Sequence, residues 1–215
     1  MVIETRKTAA GVLKVTEDSE MRCLYVNGAL ESAMYLQGDQ NEPVFPYIAA
    51  MLDWCHAHPA LHKIMIIGSG GFQLPRGMDE REVYCFEISH DMIDVSRKYF
   101  DLDALEKKKG FHLYETDGFA WLKGQDEKFD VIINDAFQGK HPIGLGADEM
   151  RLVKVHLKQG GVYLINAVTA PRGPFSKRRK LTAALHESFD EVNWMLVEED
   201  CSLYEVQNCL VIAGD

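Results

Sequence analysis

Several patterns that would place a chain quickly are missing from this one. Its five cysteines, Cys23, Cys55, Cys85, Cys201 and Cys209, include no C-x-x-C pair. An odd, unpatterned set reads as reduced, mostly buried thiols. No apolar run reaches the length that spans a bilayer, and the N-terminus carries no signal-peptide pattern. The expectation is therefore a cytoplasmic protein with no membrane partner. Positive charge is also in deficit, with 23 Lys and Arg against 33 Asp and Glu and a net charge of -10. Such a balance does not suit a nucleic-acid backbone and points to small-molecule or cationic partners. No internal repeat or low-complexity segment is present.

What the chain does have is a core. Its 215 residues are 47% hydrophobic and 26% charged, enough for one α/β domain with a small appendage. Residues 1–42 read as a β-hairpin region. The short alternating runs 12-VLKV-15, 22-RCLYVNG-28 and 30-LESAMYLQG-38 are broken by turn signals, including Asn27-Gly28. Residues 43–215 read differently. A helix is predicted over 43–58, between Pro43 and Pro59. After it come apolar strands at 63–68, 82–88, 111–115, 129–135 and 161–168. Helices over 90–100, 117–123, 147–158 and 176–188 alternate with them. Such strands imply a mostly parallel sheet covered on both faces. The closing runs 191–197 and 203–214 predict an antiparallel C-terminal edge.

In a sheet of this kind, ligands bind at the carboxyl ends of strands, near the point where strand order reverses. Four features fall at such ends. The run 64-IMIIGSGGFQLPRGM-78 ends its strand on Gly68, Gly70 and Gly71, where bare backbone lets a ligand approach. Glu87 ends the next strand, nineteen positions after Gly68, and is placed to accept hydrogen bonds from ribose hydroxyls. Full G-x-G-x-x-G spacing is absent, so a single nucleoside fits better than a nicotinamide dinucleotide. Asp117 follows the third strand and either caps the helix after it or holds an adenine amino group. Asp135 ends the fourth, apolar strand, where a carboxylate needs a role or a partner.

The quoted runs 65-MIIGSGGFQLPR-76, 84-YCFEISHDMIDVSRKYF-100, 116-TDGFAWL-122, 129-FDVIINDAFQG-139 and 158-KQGGVYLINAV-168 resemble the spermidine synthase family. So does the hairpin 24-LYVNGALES-32. The glycine run and the D-A-F-Q-G run look most like the family's spermidine synthase-like branch. The resemblance implies a Rossmann-like fold of the S-adenosylmethionine-dependent methyltransferase type. It implies that Gly68, Gly70 and Gly71 lie against the methionine-derived part of the donor. Glu87 would take the ribose, and Asp117 with Gly118 the adenine. Asp135 would be the catalytic acid that accepts a proton from the attacking amine. The implied co-substrate is S-adenosylmethionine or its decarboxylated form, with no metal, a polyamine-type acceptor and a homodimer.

Three positions depart from the family's pattern, all in its substrate half. Gly71 stands where the family has an aspartate in the glycine turn. Gln138 stands for a second aspartate after the catalytic one. The family's D-E-x-x-Y element reads 41-NEPVF-45, with Phe45 for the tyrosine. Each lost acid removes a charge-assisted contact to a cation. The expectation is therefore a transferase that moves an aminopropyl or methyl group to a small acceptor, plausibly an amine. A small-molecule methyltransferase unrelated to polyamines, and a non-catalytic nucleoside-binding protein, remain the alternatives. The other features have ordinary readings. His56, His58 and His62 flank a helix end without a metal-ligand pattern. The run 177-KRRK-180 is a solvated helix face, and Cys85 a core residue. Trp121 follows Asp117 closely enough to wall an adenine site.

Overall fold

The computed structural model describes residues 1–138, 141–174, 176–198 and 200–215, without the side chains of Gln138 and His141. The chain begins with four strands, β1 (Val2–Thr8), β2 (Gly11–Glu17), β3 (Met21–Val26) and β4 (Ala29–Tyr35), paired in order as an antiparallel sheet. Asn27, at φ 51°, and Gly28, at φ 83°, make the predicted turn between β3 and β4.

Helix α1 (Pro46–Ala57) follows. It starts at Pro46 and not at Pro43. Phe45 is held extended (ψ 131°) by the proline after it, while Pro46 itself suits a first helical position. Then come β5 (Lys63–Ile67), the single-turn α2 (Gln73–Arg76), β6 (Glu82–Glu87), α3 (His90–Tyr99), the single-turn α4 (Leu102–Leu105), β7 (Phe111–Glu115), α5 (Gly118–Leu122) and β8 (Phe129–Asn134). A two-residue ladder, β9 (Phe137–Gln138) and β10 (His141–Pro142), leads to α6 (Ala147–His156). The chain closes with β11 (Leu157–Thr169), α7 (Arg178–Leu185), β12 (Glu191–Leu196) and β13 (Gln207–Gly214). Neither single-turn helix nor the β9–β10 ladder has a period long enough to read from sequence.

The main sheet runs β12-β13-β11-β8-β5-β6-β7. Pairs from β11 through β7 are parallel, and β13 is antiparallel to both neighbours. The expected antiparallel pair is there, but β13 is inserted between β11 and β12, so β12 is the edge. The chain leaves β5 toward β6 and β7, then returns to lay β8 on the other side. Strand order therefore reverses between β5 and β8, which makes a crevice at their carboxyl ends.

Alternation along the central strands explains the continuous apolar runs. Ile64 and Ile66 face α1 and α2 with Val131, Ile133 and Leu164. Met65 and Ile67 face the other way, with Ile132, Tyr163 and Ile165 beneath the helices on that side. Each residue is at most 3% exposed, so both faces are covered. Cys55, Cys85 and Cys209 lie inside this core, and burial pushes the Cys85 thiol up to about 12.

The N-terminal sheet docks on α3. Leu13, Val15, Leu24 and Met34 pack against Met92, Val95 and Phe100. Each such side chain contributes roughly 1.5–3 kcal/mol on burial. A charged rim reinforces the contact. Glu4 binds Arg6 (3.0 Å), Lys98 (2.7 Å) and the Tyr99 hydroxyl (2.9 Å), and Arg6 reaches Asp91 (3.1 Å). The Lys98 contact leads in holding the Glu4 pKa down at about 2.

Candidate active site

The four strand-end features stand on adjacent strands. From β8 to β7 the order is Asp135, Gly68, Glu87, Asp117. Three strand spacings separate the first from the last, roughly 14 Å in all.

Asp135 follows β8 at the reversal point. Its Oδ1 accepts from Asn166 Nδ2 at 2.8 Å, and its Oδ2 accepts from the Tyr47 hydroxyl at 3.2 Å. Asn166 comes from β11 and Tyr47 from α1. Asn134 braces the loop, accepting from Ala136 N and donating to the Ile143 carbonyl and the Tyr163 hydroxyl. Removal from bulk water dominates the Asp135 environment and pushes its pKa up to about 7. The two hydrogen bonds pull downward and the charge of Glu31 adds to the rise. A carboxyl poised there can gain or lose a proton near neutrality.

The glycine turn is shaped first by the protein's own backbone. A Cβ on Gly68, at φ 82°, would lie 2.6 Å from Ala136 Cα and 2.7 Å from the Asp135 carbonyl oxygen. Gly71 meets the N-terminal sheet: its N–H donates to Ser32 Oγ at 2.7 Å, and a Cβ there would lie 2.6 Å from that side chain. Phe72 holds a left-handed φ of 59° with its ring fully buried, and the turn closes through Phe72 N to the Ser69 carbonyl. An aromatic residue persists in that conformation only where its surroundings enforce it.

Glu87 is buried at 8% exposure. Its Oε2 accepts from Gly70 N at 3.1 Å and its Oε1 from Ser89 N at 2.9 Å. Burial raises its pKa, against the pull of these backbone bonds. A carboxylate has further acceptor sites, so ribose binding is compatible with both contacts. Asp117 is the N-cap of α5, its Oδ1 accepting from Phe119 N (2.8 Å) and Ala120 N (3.1 Å). Among the described residues its Oδ2 takes no hydrogen bond, so both roles expected of Asp117 fit. Gly118 packs on Ile67 and Phe86. Trp121 packs beside Phe86 and Tyr114, with ring centroids 4.8 and 5.6 Å away.

A cavity of about 360 Å³ opens at the reversal point. Gly68, Gly70, Asp135 and Phe45 line it, whereas Glu87, Asp117 and Gly118 lie along the neighbouring strand ends. The side chain of Gln138 and all of Gly139 fall outside the described residues. A larger, more open hollow of about 760 Å³ lies between His62, Arg81 and Phe111, at the amino-terminal ends of the strands. It is away from the reversal point and contains none of the strand-end groups.

Sequence reasoning missed Tyr47, Asn166, Glu31 and Gln73, all of which line the cavity. Phe45, which stands for the family's tyrosine, forms apolar wall, and Tyr47, two residues later, brings a hydroxyl to Asp135. Asn166 did carry a signal, being a lone amide in the apolar run 161-GVYLINAV-168.

A family model described as the spermine/spermidine synthase domain matches residues 53–192, well over half of the chain. The chain belongs to this family. It is similar to the polyamine aminopropyltransferase of Neisseria meningitidis serogroup B, 28% identical over 160 residues, 71% of this chain and 60% of that protein. It is similar to the probable polyamine aminopropyl transferase of Bifidobacterium longum, 28% identical over 145 residues, 66% of this chain and 31% of that protein. The chain thus spans from under a third to three fifths of these relatives' length. A probable spermidine synthase from Corynebacterium glutamicum superposes with a TM-score of 0.78 at 18% identity, covering 100% of this chain and 79% of that one. Human methyltransferase-like protein 13 gives 0.62 at 16% identity, covering 79% and 82%. At such identities the structures show a shared fold, of methyltransferase type. Among the described residues, no helix is long and apolar enough to cross a membrane.

Proposed function

We propose that the chain is a spermidine synthase-like transferase that binds a sulfonium nucleoside and moves its aminopropyl or methyl group to a small amine, with Asp135 as general base. The observation that carries this reading is the order Asp135, Gly68, Glu87, Asp117 across neighbouring strand ends. It matches the order of parts in such a nucleoside: reacting carbon, sulfonium arm, ribose, adenine. The span of roughly 14 Å suits an extended nucleoside. Relatives named as polyamine aminopropyltransferases support amine chemistry.

In the proposed reaction the acceptor nitrogen bonds to the carbon beside the sulfonium. The carbon–sulfur bond breaks with its electron pair going to sulfur, leaving a neutral thioether nucleoside. A proton from the amine passes to Asp135. An ammonium has no lone pair, so a carboxylate with a pKa near 7 is a suitable acceptor. Asn166 and Tyr47 hold that carboxylate at both oxygens, and Asn166 Oδ1, buried and unpartnered among the described residues, points to a further donor such as the amine. The sulfonium supplies the leaving group, so the protein's work is positioning and proton transfer. Residues 1–42 serve as a separate small unit that walls the cavity of the domain formed by 43–215. A homodimer and a cytoplasmic setting belong to the same proposal.

The test is calorimetric binding of methylthioadenosine, with a transfer assay on the wild type and Asp135→Asn. The expected result is unchanged nucleoside affinity and transfer slowed by about 10²–10⁴-fold. Retained turnover would remove Asp135 from the chemistry, and absent binding would remove the nucleoside.

A further inference from the structure

Strand order fixes the side from which an acceptor reaches Asp135. The donor runs from Asp135 over β5, β6 and β7. A nitrogen that displaces sulfur attacks from the side opposite the leaving group, so the acceptor comes over β11 and β13, across β8 from the donor. The cavity extends that way. Asn166 and Val168 of β11, Asn208 of β13, Val206 just before it, and Lys177 line this end. Val168 and Asn208 are direct partners across the two strands.

The two ends of the cavity differ in charge. Glu31 belongs to the donor end, where its carbonyl oxygen lies 3.9 Å from the place of a Cβ on Gly70. Beyond Asp135 the described lining residues include no carboxylate and one cation, Lys177. Glu198 accepts from Asn208 Nδ2 at 3.2 Å and from Cys201 Sγ at 3.6 Å, and it is not among the lining residues.

Lys177 is held by its backbone. Its N–H donates at 2.7 Å to Oγ1 of Thr169, the buried last residue of β11. Its exposed ammonium makes no ion pair among the described residues, whereas the guanidinium of Arg178 lies over the Trp194 ring, 5.3 Å from its centroid. Helix α7 begins after Lys177 without a side-chain cap, so its positive end adds to the charge. At the inner end stands Asn166, only 3% exposed, whose Oδ1 has no partner among the described residues. A buried carbonyl oxygen left unpaired marks a place where a ligand N–H completes the bonding. This end of the cavity thus presents an acceptor atom for a nitrogen beside Asp135, apolar wall from Val168 and Val206, and a cation.

We propose that the acceptor is a short ω-amino acid, bound with its amine at Asp135 and Asn166, its methylenes against Val168 and Val206, and its carboxylate at Lys177. The inference rests on the transferase reading above and narrows it. Asp135 at the end of β8 and Asn208 on β13 stand two strand spacings apart, roughly 10 Å, which suits a short chain. A diamine in the same pose would set its second ammonium against Lys177. The bond changes are those of the proposed reaction: the amine nitrogen bonds to the donor carbon, the carbon–sulfur bond breaks with its pair going to sulfur, and one amine proton passes to Asp135. The carboxylate is an anchor and takes no part in the chemistry.

The experiment is steady-state transfer by the wild type, Lys177→Gln and Lys177→Glu. The donors are S-adenosylmethionine and its decarboxylated form. The acceptors are γ-aminobutyrate and putrescine, which carry the same number of carbons and differ in the charge at the far end. The wild type should show a kcat/KM for γ-aminobutyrate at least about threefold above that for putrescine. Lys177→Gln should raise the KM for γ-aminobutyrate by about 2- to 5-fold, the range for a solvent-exposed ion pair, and Lys177→Glu should reverse the order of the two acceptors. Methylthioadenosine affinity, measured by calorimetry, should stay within about twofold in both variants, showing that they fold. Wild-type preference for putrescine would overturn the assignment, and so would an equal change for both acceptors in Lys177→Gln. Methylthioadenosine binding with no transfer to either amine would overturn the amine acceptor and its carboxylate anchor together. Failure of methylthioadenosine itself to bind the wild type would overturn the nucleoside reading on which the inference rests.

Discussion

Asp135→Asn separates the acid's role in chemistry from its effect on stability. Burial raises this carboxyl from its ordinary 3.8 to about 7 in the folded chain. The folded state therefore binds a proton more tightly than the unfolded state does. The resulting stabilisation is fully present below about pH 3.8 and is lost as pH rises through about 7. Each tenfold gain in proton affinity is worth about 1.4 kcal/mol, so a gain of roughly a thousandfold gives at most about 4 kcal/mol. Between pH 5 and 8.5 the part that disappears is about 2.7 kcal/mol. Asparagine does not titrate and can still bond to Asn166 and Tyr47, so the variant lacks this loss. The assay is urea unfolding of both proteins at pH 5 and pH 8.5. The variant should gain about 2–3 kcal/mol on the wild type between the two pH values. A stability difference that is the same at both would mean that Asp135 is already ionised at pH 5, and the desolvation argument would be wrong. Transfer activity should fall by about 10²–10⁴-fold, the usual contribution of a positioned base.

Asn166→Ala removes the 2.8 Å donor that favours the ionised form of Asp135. Its pH–rate profile should shift to higher pH, and an unshifted profile would show that the bond does not tune the acid. Gly68→Ala forces a Cβ to within 2.6 Å of the β8 loop at a left-handed φ, so chemical denaturation should show a loss of roughly 2 kcal/mol or more together with reduced turnover. Glu4→Gln should flatten acid unfolding. The depressed Glu4 pKa contributes stability above about pH 4.5 that is lost as pH falls toward 2, and an unchanged acid transition would exclude that contribution.

The alternation of strands and helices was legible because strands buried on both faces need apolar residues at every position. That makes runs such as 64-IMII-67 and 131-VII-133 plain to read. The acids at strand ends were legible for the complementary reason: polar groups stand out where an apolar run stops. Family membership followed from those local runs. What the chain alone could not reveal is non-local. Tyr47 and Asn166 meet at Asp135 from 88 and 31 residues away, because β8 returns beside β5 and β11 lies against β8. Gly71 is bare because Ser32 arrives from 39 residues upstream. The insertion of β13 and the burial of Gln73 beside the glycine turn likewise depend on which surfaces pack together. Local patterns determined the elements and the strand-end acids. Strand order and the docking of the N-terminal sheet decided which groups surround Asp135, because those contacts join residues that no sequence period relates.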